Sequence, residues 1–410
     1  MATRVAIKDI CKVYDGPHAT PQKTDEGPVY LGIDAITDDG KIDPNQFSHL
    51  SEKDYIKWTK RVTPQYGDIV FSYEATLGRY ALIPKGFYGC LGRRLAVIRN
   101  TSPDIDTTWL YYYFRSTEWT NFIQSKIVKG STVNRISIED FPHYTIPRIP
   151  IETQKKIVDV LARIDRKIQI NDAVNDNLEQ QAKLLYDYWF TQFDFPDENG
   201  KPYRASGGQM EWNDTLKRNI PIGWRVAPFL EVASWESNSQ PPKSEFIYEP
   251  REGYVRFIQN RDYDSSAHKT YIPLTKSLSI VDRYDILMDK YGDAGAVRYG
   301  IEGAFNVALG KINVHDKNHR EYVRSFLASD GIYNYLHNSC MASTRASLNE
   351  SNLAMLNIAI PDEPIVAKYE ELLRKMRDSI LKNNDETAKL IELRDWLLPM
   401  LMNGQASVED

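Results

Sequence analysis

Two stretches of this 410-residue chain, 212 positions apart, carry one helical pattern, and that repetition constrains the fold more than any other feature. Leu161, Ile164, Ile168, Asn171, Asn175, Leu178, Ala182, Leu185 and Trp189 align with Leu373, Met376, Ile380, Asn383, Thr387, Leu390, Arg394, Leu397 and Leu401, and five of the nine pairs are identical. The steps alternate between threes and fours, the a/d seam of a heptad, which puts every member on one face of a long helix. From Leu161 to Trp189 that seam spans about 42 Å at ~1.5 Å per residue. Such a stripe needs a partner, and the other copy is the obvious one. If a pseudo-twofold axis relates the copies, the helices run antiparallel and the globular units lie at opposite ends. Asn171 and Asn383 sit inside the apolar seam, where a polar residue costs stability but punishes misaligned pairings and so fixes register.

The duplication extends into the globular regions. Gly67-Asp68-Ile69-Val70 lines up with Tyr284-Asp285-Ile286-Leu287 at an offset of 217, followed by Gly78 with Gly295 and Gly86 with Gly303. Each copy reads as a β-rich run, a Gly-containing loop, a second strand (around Leu95–Ile98 or Lys311–Val314), and a helical patch with aromatic and apolar residues at three-four spacing. Ser131-Thr132 and Ser343-Thr344 follow, each upstream of an Ile-Pro that ends the unit. The fold class expected is therefore α+β: two duplicated mixed α/β units separated by two long helices that form an antiparallel coiled coil. The expected boundaries are 1–150 for the first unit, 151–192 for the first helix, 193–220 for a linker, 221–361 for the second unit, 362–403 for the second helix and 404–410 for a tail.

Composition fits that layout. A hydrophobic share of 42% supports buried cores in two or three domains, and no run of eighteen apolar residues or apolar leader points to a membrane or to secretion, so the cytoplasm is the expected location. Three scattered cysteines, Cys11, Cys90 and Cys340, suit a reducing compartment and read as small buried hydrophobes. The net charge of -5 argues weakly against a generic nucleic-acid coat, yet charge is segregated. Lys57 to Arg148 holds 13 Lys/Arg against 7 Asp/Glu, whereas Met1 to Tyr55 holds 6 against 10. A positive face and a solvated mixed surface both give such counts.

The segment Ile151-Glu152-Thr153-Gln154-Lys155-Lys156-Ile157-Val158, with Asn177-Leu178-Glu179-Gln180-Gln181-Ala182-Lys183-Leu184-Leu185-Tyr186-Asp187-Tyr188-Trp189-Phe190, resembles the conserved spacer of type I restriction-modification specificity subunits. Phe193-Asp194-Phe195-Pro196, Gly200-Lys201-Pro202-Tyr203, Ser206-Gly207-Gly208 and Ile220-Pro221-Ile222-Gly223-Trp224 resemble, in order, that family's link into its second target-recognition domain. The resemblance implies a DNA-reading subunit without catalysis of its own. Two recognition domains would each read half of a bipartite, asymmetric target in double-stranded DNA, with the helices as a ruler of about one B-DNA turn, ~34 Å. Two adenine methyltransferase subunits, using S-adenosylmethionine that this chain does not bind, and restriction endonuclease/translocase subunits would dock on it. Target adenines would flip into those partners.

Candidate DNA contacts are polar and basic residues in loops that follow strands, where a rigid scaffold holds them against a groove. In Tyr254–Arg261 of the second unit, Arg256, Gln259, Asn260 and Arg261 offer the guanidinium and amide groups that pair bidentately with guanine and adenine edges, although an ordinary edge strand gives the same alternation. In the first unit Lys126, Lys129, Ser131, Thr132, Asn134 and Arg135 combine cations and hydroxyls around Gly130, with Ser343, Thr344 and Arg345 as counterparts, and suit phosphate contact. A helix C-cap at Gly130 explains the same residues structurally. Arg79, Arg93 and Arg94, and Lys290, Tyr291 and Arg298, complete the set. Tyr186, Trp189, Phe190, Trp396 and Leu397 are apolar candidates for partner contact, or caps of the coiled coil.

Enzymatic readings find less support. Asp68 and Glu74 resemble half of a metal-dependent nuclease site, but Thr76 stands where its lysine belongs, and Asp68 reads better as a turn carboxylate. His315 and His319 have the spacing of a zinc pair without a third ligand. No phosphate loop or amino-methyltransferase signature occurs. The remaining alternative is a coiled-coil adaptor that binds protein partners without reading DNA.

Overall fold

The computed structural model describes residues 3–130, 133–263, 268–341 and 347–408. The chain forms two compact units, Met1–Ile170 with Glu386–Asp410, and Asn171–Asp385. Each contains one globular domain and a stretch of both long helices.

In the first unit the order is β1 (Arg4–Ala6), α1 (Ile7–Ile10), β2 (Cys11–Asp15), β3 (Lys23–Leu31), β4 (Ser48–Leu50), α2 (Glu52–Trp58), β5 (Ile69–Ser72), β6 (Tyr80–Leu82), β7 (Gly89–Leu91), β8 (Leu95–Asn100), α3 (Thr107–Phe114), α4 (Thr117–Lys126) and β9 (Thr145–Pro147). One sheet runs β2-β8-β5-β6 and a second β4-β3-β7, with β3 parallel to β7, while β1 and β9 pair at the domain's ends. Strand β5 is buried along its whole length, as a central strand covered on both faces must be. The core is aromatic: Phe71, Tyr80, Trp109, Tyr113, Phe114, Trp119 and Phe141 pack together. Asp106 and Ser116 accept hydrogen bonds from Trp109 N and Trp119 N and so cap α3 and α4. That divides the expected helical patch in two.

α5 (Ile151–Tyr186) follows, then in the second unit β10 (Met210–Asn213), β11 (Arg218–Pro221), β12 (Arg225–Pro228), β13 (Ala233–Ser237), β14 (Tyr254–Ile258), β15 (Tyr271–Pro273), β16 (Ile280–Val281), β17 (Ile286–Asp289), β18 (Val297–Arg298), β19 (Gly303–Phe305), β20 (Leu309–Val314), α6 (Arg320–Ala328), α7 (Asp330–Met341), α8 (Glu350–Leu353), β21 (Asn357–Ile360) and α9 (Glu363–Met402). The sheet β13-β20-β17-β18 repeats β2-β8-β5-β6, and in β15-β14-β19-β16 the strands β14 and β19 are parallel as β3 and β7 are. β12 pairs with β21 as β1 does with β9. The duplication is therefore one topology twice. Register corrects one expected match: Val29 pairs with Gly89 where Arg256 neighbours Gly303, so Gly303 is the counterpart of Gly89, not Gly86. A Cβ on Gly89 would lie 2.3 Å from Val29 O, and on Gly303 2.4 Å from Arg256 O, so the parallel neighbour approaches too closely for a side chain.

In each unit the helix segments pack antiparallel. In the first, Arg394 bonds Asp165 at 3.0 Å and Lys167 pairs with Glu386 at 2.8 Å, and Leu161 shares a core with Leu398 and Leu401. In the second, Asn175 donates to Asn384 at 2.8 Å and accepts from Asn383 at 2.9 Å, Arg377 bonds Glu179, and Trp189 packs on Tyr369. Asn171 is 2% exposed. Asn383 thus bonds Asn175 across the helices, while Asn171 is buried about one helical turn away along α5.

The stretch expected as a linker is folded. Phe195 stacks between Tyr203 and Trp224, Arg218 lies 4.4 Å over Phe193, and β10 and β11 form a hairpin. Where α5 ends, Asp187–Thr191 widens to a π-turn that buries Trp189 and Phe190. Of the two readings of Tyr186, Trp189 and Phe190, their burial fits the cap and not partner contact. All three are buried against Tyr322, Tyr369 and Trp224, because the aromatic end of the helix closes the second core. Leu397 packs on the first core, and Trp396, 57% exposed, alone of the five faces solvent.

The three cysteines are buried, and burial pushes the Cys11 and Cys90 thiols up to about 12. Among the described residues no helix is long and apolar enough to cross a membrane.

Candidate nucleic-acid interface

The first unit brings several candidate residues to one rim, where β5 leaves its sheet and β8 enters it. Tyr73 N donates to Arg94 O at 3.1 Å, Ile136 N donates to Tyr73 O at 2.8 Å, and Glu74 bridges Arg135 across their backbones. Arg135 also pairs with Val128 through both backbone hydrogen bonds. Helix α4 ends at Lys126 with Ile127 as its C-cap, so Gly130 is not the cap; a Cβ there would lie 2.2 Å from Val133 O, so backbone approaches the glycine too closely for a side chain. Lys129, Asn134 and Arg135 are exposed, and Lys126 lies over Phe122 at 5.6 Å. Ser131 and Thr132 lie outside the described residues.

Arg93 is exposed, and Arg94 pairs loosely with Glu74 at 3.6 Å. Arg79, by contrast, is tied into the fold by Asp38 at 2.6 Å and Ile36 O at 3.0 Å. The rim also gathers residues that no sequence pattern places there. Tyr73 lies near Asp15, and Asp15 faces His18 at 2.8 Å and Arg61 at 3.9 Å. Burial together with Asp15 pushes the Tyr73 hydroxyl well above its ordinary range.

The second unit distributes its polar groups differently. Tyr254–Ile258 is a central strand between β15 and β19, not an edge, because it accepts partners on both sides. At its end Gln259 and Arg261 both donate to Thr270 Oγ1, at 3.1 and 3.4 Å, and Asn260 donates to Asp289 at 2.9 Å. Arg298 donates to the same Asp289 at 2.8 Å and pairs with Asp293 at 3.5 Å. Burial pushes the Asp289 carboxyl up against the pull of Arg298 and Asn260. Arg256 Nε is buried without an acceptor among the described residues. Lys290 lies over Trp235 at 6.0 Å, and Tyr291 is exposed beside it. The second rim has the same frame, since Lys290 N donates to Ala308 O and Leu348 N to Lys290 O. Ser343, Thr344 and Arg345, on the loop expected to complete it, lie outside the described residues.

The alternative chemistries separate into structural roles. Asp68 accepts from Gln65 N and from Arg99 in the turn before β5, while Glu74 belongs to the rim. His315 faces Glu231 O and His319 faces Glu363, each with its own partner.

The chain thus repeats one α+β domain, with polar residues gathered at strand ends and antiparallel helix segments in each unit. The family described as "Type I restriction modification DNA specificity domain" matches residues 3–180 and 221–388, and the chain belongs to it. It is 25% identical to the "Type I restriction enzyme MjaIX specificity subunit" of Methanocaldococcus jannaschii over 88% of this chain and 82% of that protein. It is 22% identical to the "Type I restriction enzyme HindI specificity subunit" of Haemophilus influenzae, over 89% and 93% of the two chains. The fold is similar to that of the type I restriction-modification S subunit from M. genitalium, with a TM-score of 0.55 at 14% identity over 97% and 95% of the chains. The chain is thus a non-catalytic specificity subunit of a type I restriction-modification system.

Proposed function

We propose that the chain recognises a bipartite, asymmetric sequence in duplex DNA, one half through each globular domain, and carries adenine methyltransferase and endonuclease subunits to it. The observation that carries the reading is one topology built twice with different polar rims: a shared frame suits the same duplex, and different side chains suit different base sequences. Arg61, Arg93, Lys129 and Arg135 give the first rim exposed cations for phosphate. Gln259, Asn260 and Arg261 give the second amide and guanidinium groups held by Thr270 and Asp289. S-adenosylmethionine belongs to the methyltransferase partner, and exposed Trp396 is the one apolar helix candidate left to meet it.

The test is binding of the full chain to random and to selected duplexes over a salt series. Each neutralised phosphate contributes about -0.9 to the slope of log affinity against log salt, so a steep negative slope and co-purification with the modification subunit are expected. A chain that captures that subunit but shifts no duplex at any salt concentration is an adaptor, and the DNA reading fails.

A further inference from the structure

We infer that Arg94 is a specificity-determining residue of the first domain, a guanine reader that Glu74 holds in place until DNA arrives. The inference rests on the DNA reading proposed above and adds the residue and the base to it.

Four observations converge on this rim. First, Arg94 has φ +71 and Ala75 φ +64, two of the four non-glycine residues with positive φ among those described. The shared turn places a left-handed residue at Ala75, which the second domain matches with Gly292 at φ +69. It does not do so at Arg94: Ala308, whose carbonyl accepts from Lys290 N as that of Arg94 does from Tyr73 N, has no positive φ. The first domain accepts backbone strain to present a side chain there, which is a mark of functional sites.

Second, the Arg94 guanidinium is unsatisfied. Its Nε is buried without an acceptor, and its ion pair with Glu74 at 3.6 Å is longer than a hydrogen bond. Arg99, on the strand that Arg94 leads into, shows what a structural arginine does: it bonds Asp68 through Nε at 2.8 Å and Thr63 O through a terminal nitrogen at 2.8 Å. Third, Asp15 Oδ1 and Thr76 Oγ1 are also buried without partners, so three of the eight such side-chain atoms among the described residues lie on this one rim. Buried polar groups are normally bonded, and a cluster left open is one that a ligand completes.

Fourth, the surroundings suit a duplex. Arg93, Lys129 and Arg135 are exposed cations around the pair, placed for phosphate, while Arg94 and Glu74 are only 31% and 27% exposed. Guanine presents O6 and N7 to the major groove, and a planar guanidinium donates to both at once, which a lysine ammonium cannot do. Glu74, released by that contact, is free to accept from a cytosine amino group. Against random DNA the loose pair stays closed, so Glu74 withholds the cation from phosphate.

The test is selection of the full chain and its variants on a randomised duplex library, read by sequencing. The parent is expected to select a two-part motif. Arg94→Lys, which keeps the charge, is expected to lose guanine preference by roughly 10- to 100-fold at one position in one half and to leave the other half unchanged. Glu74→Gln is expected to raise affinity for random duplex and to flatten that same half. Arg94→Gly, which relieves the left-handed strain, controls for folding and should lose the same position. If Arg94→Lys selects the parent motif unaltered, or Arg94→Gly weakens all sequences equally, Arg94 is a phosphate contact and the inference is overturned. If the parent selects no motif, the DNA reading itself fails and this inference falls with it.

Discussion

Removing the Arg377 guanidinium should open the second unit while an equally charged neighbour does nothing. Arg377 is 5% exposed, bonds Glu321 at 3.1 Å and Glu179, and stacks on Tyr299 at 4.6 Å. Arg324, 1% exposed, bonds Glu321 and lies 4.8 Å over the same Tyr299 ring. Two buried arginines thus share one buried carboxylate, and the half-exposed Glu179 gives Arg377 a second partner. Arg377→Met leaves Glu321 with one cation and Glu179 with none. Breaking a buried pair from one side costs about 3–5 kcal/mol, which at ~1.4 kcal/mol per decade is roughly a 100- to 4,000-fold fall in protection from hydrogen exchange. Lys375→Met removes only an exposed pair with Glu371, screened by solvent, and should leave stability essentially unchanged. Hydrogen exchange read by mass spectrometry should show the loss in 171–190 and 320–341 and not in 107–126. A double change, Arg377→Met with Glu179→Met, should recover part of it, because Glu179 is the carboxylate left without a cation while Glu321 keeps Arg324. If Arg377→Met and Lys375→Met are indistinguishable, the buried network does not hold these helices.

Further outcomes follow from single sites. Burial pushes the Glu370 carboxyl up to about 7 although Tyr322 N donates to it at 2.8 Å. The folded state therefore binds more protons than the unfolded one between the ordinary value of 4.5 and 7, and stability falls as pH rises through that window. Glu370→Gln keeps the acceptor and should be more stable than the parent at pH 8, by on the order of 3 kcal/mol, with the advantage shrinking toward pH 5 in urea melts; a constant gap would contradict this. Gly303→Ala should disrupt the β14–β19 contact and lose the second half of the selected motif while keeping the first, and Gly89→Ala should do the converse, as library selection will read. Trp396→Ala should weaken co-purification with the modification subunit without altering thermal unfolding, since its ring faces solvent.

How much of this was legible in the sequence depends on the range over which each signal acts. The helices and their register were readable because a seam is a local periodicity: Leu161 and Leu373 are both fully buried, as are Ala182 and Ile380 nearly so. The shared topology was readable from glycines, yet Gly303 was matched to Gly86 because the loop before Gly89 is three residues longer, and only strand pairing reveals that. Burial of Tyr186, Trp189 and Phe190 was one of two open readings because an aromatic helix end does not say what covers it; Tyr322 and Tyr369 are more than 130 positions away. Arg324 and Arg377 carry no sequence signal at all, since a charged residue reads as surface until its buried carboxylate, contributed by Glu321, is known. The rim was half legible: Arg93, Arg94 and Arg135 stood out as cations, while Asp15, Arg61 and Tyr73 join them only through the sheet.

The central claim is that each domain reads its own half of one DNA target. It is tested most directly by co-expressing the chain with its modification subunit in a methylation-free host and mapping methylated adenines by single-molecule sequencing. The account predicts a two-part motif with one methylated adenine in each half, and exchange of 221–361 for the same domain of another specificity subunit should change one half alone. A motif that changes in both halves, or competent methylation with no motif at all, would contradict it.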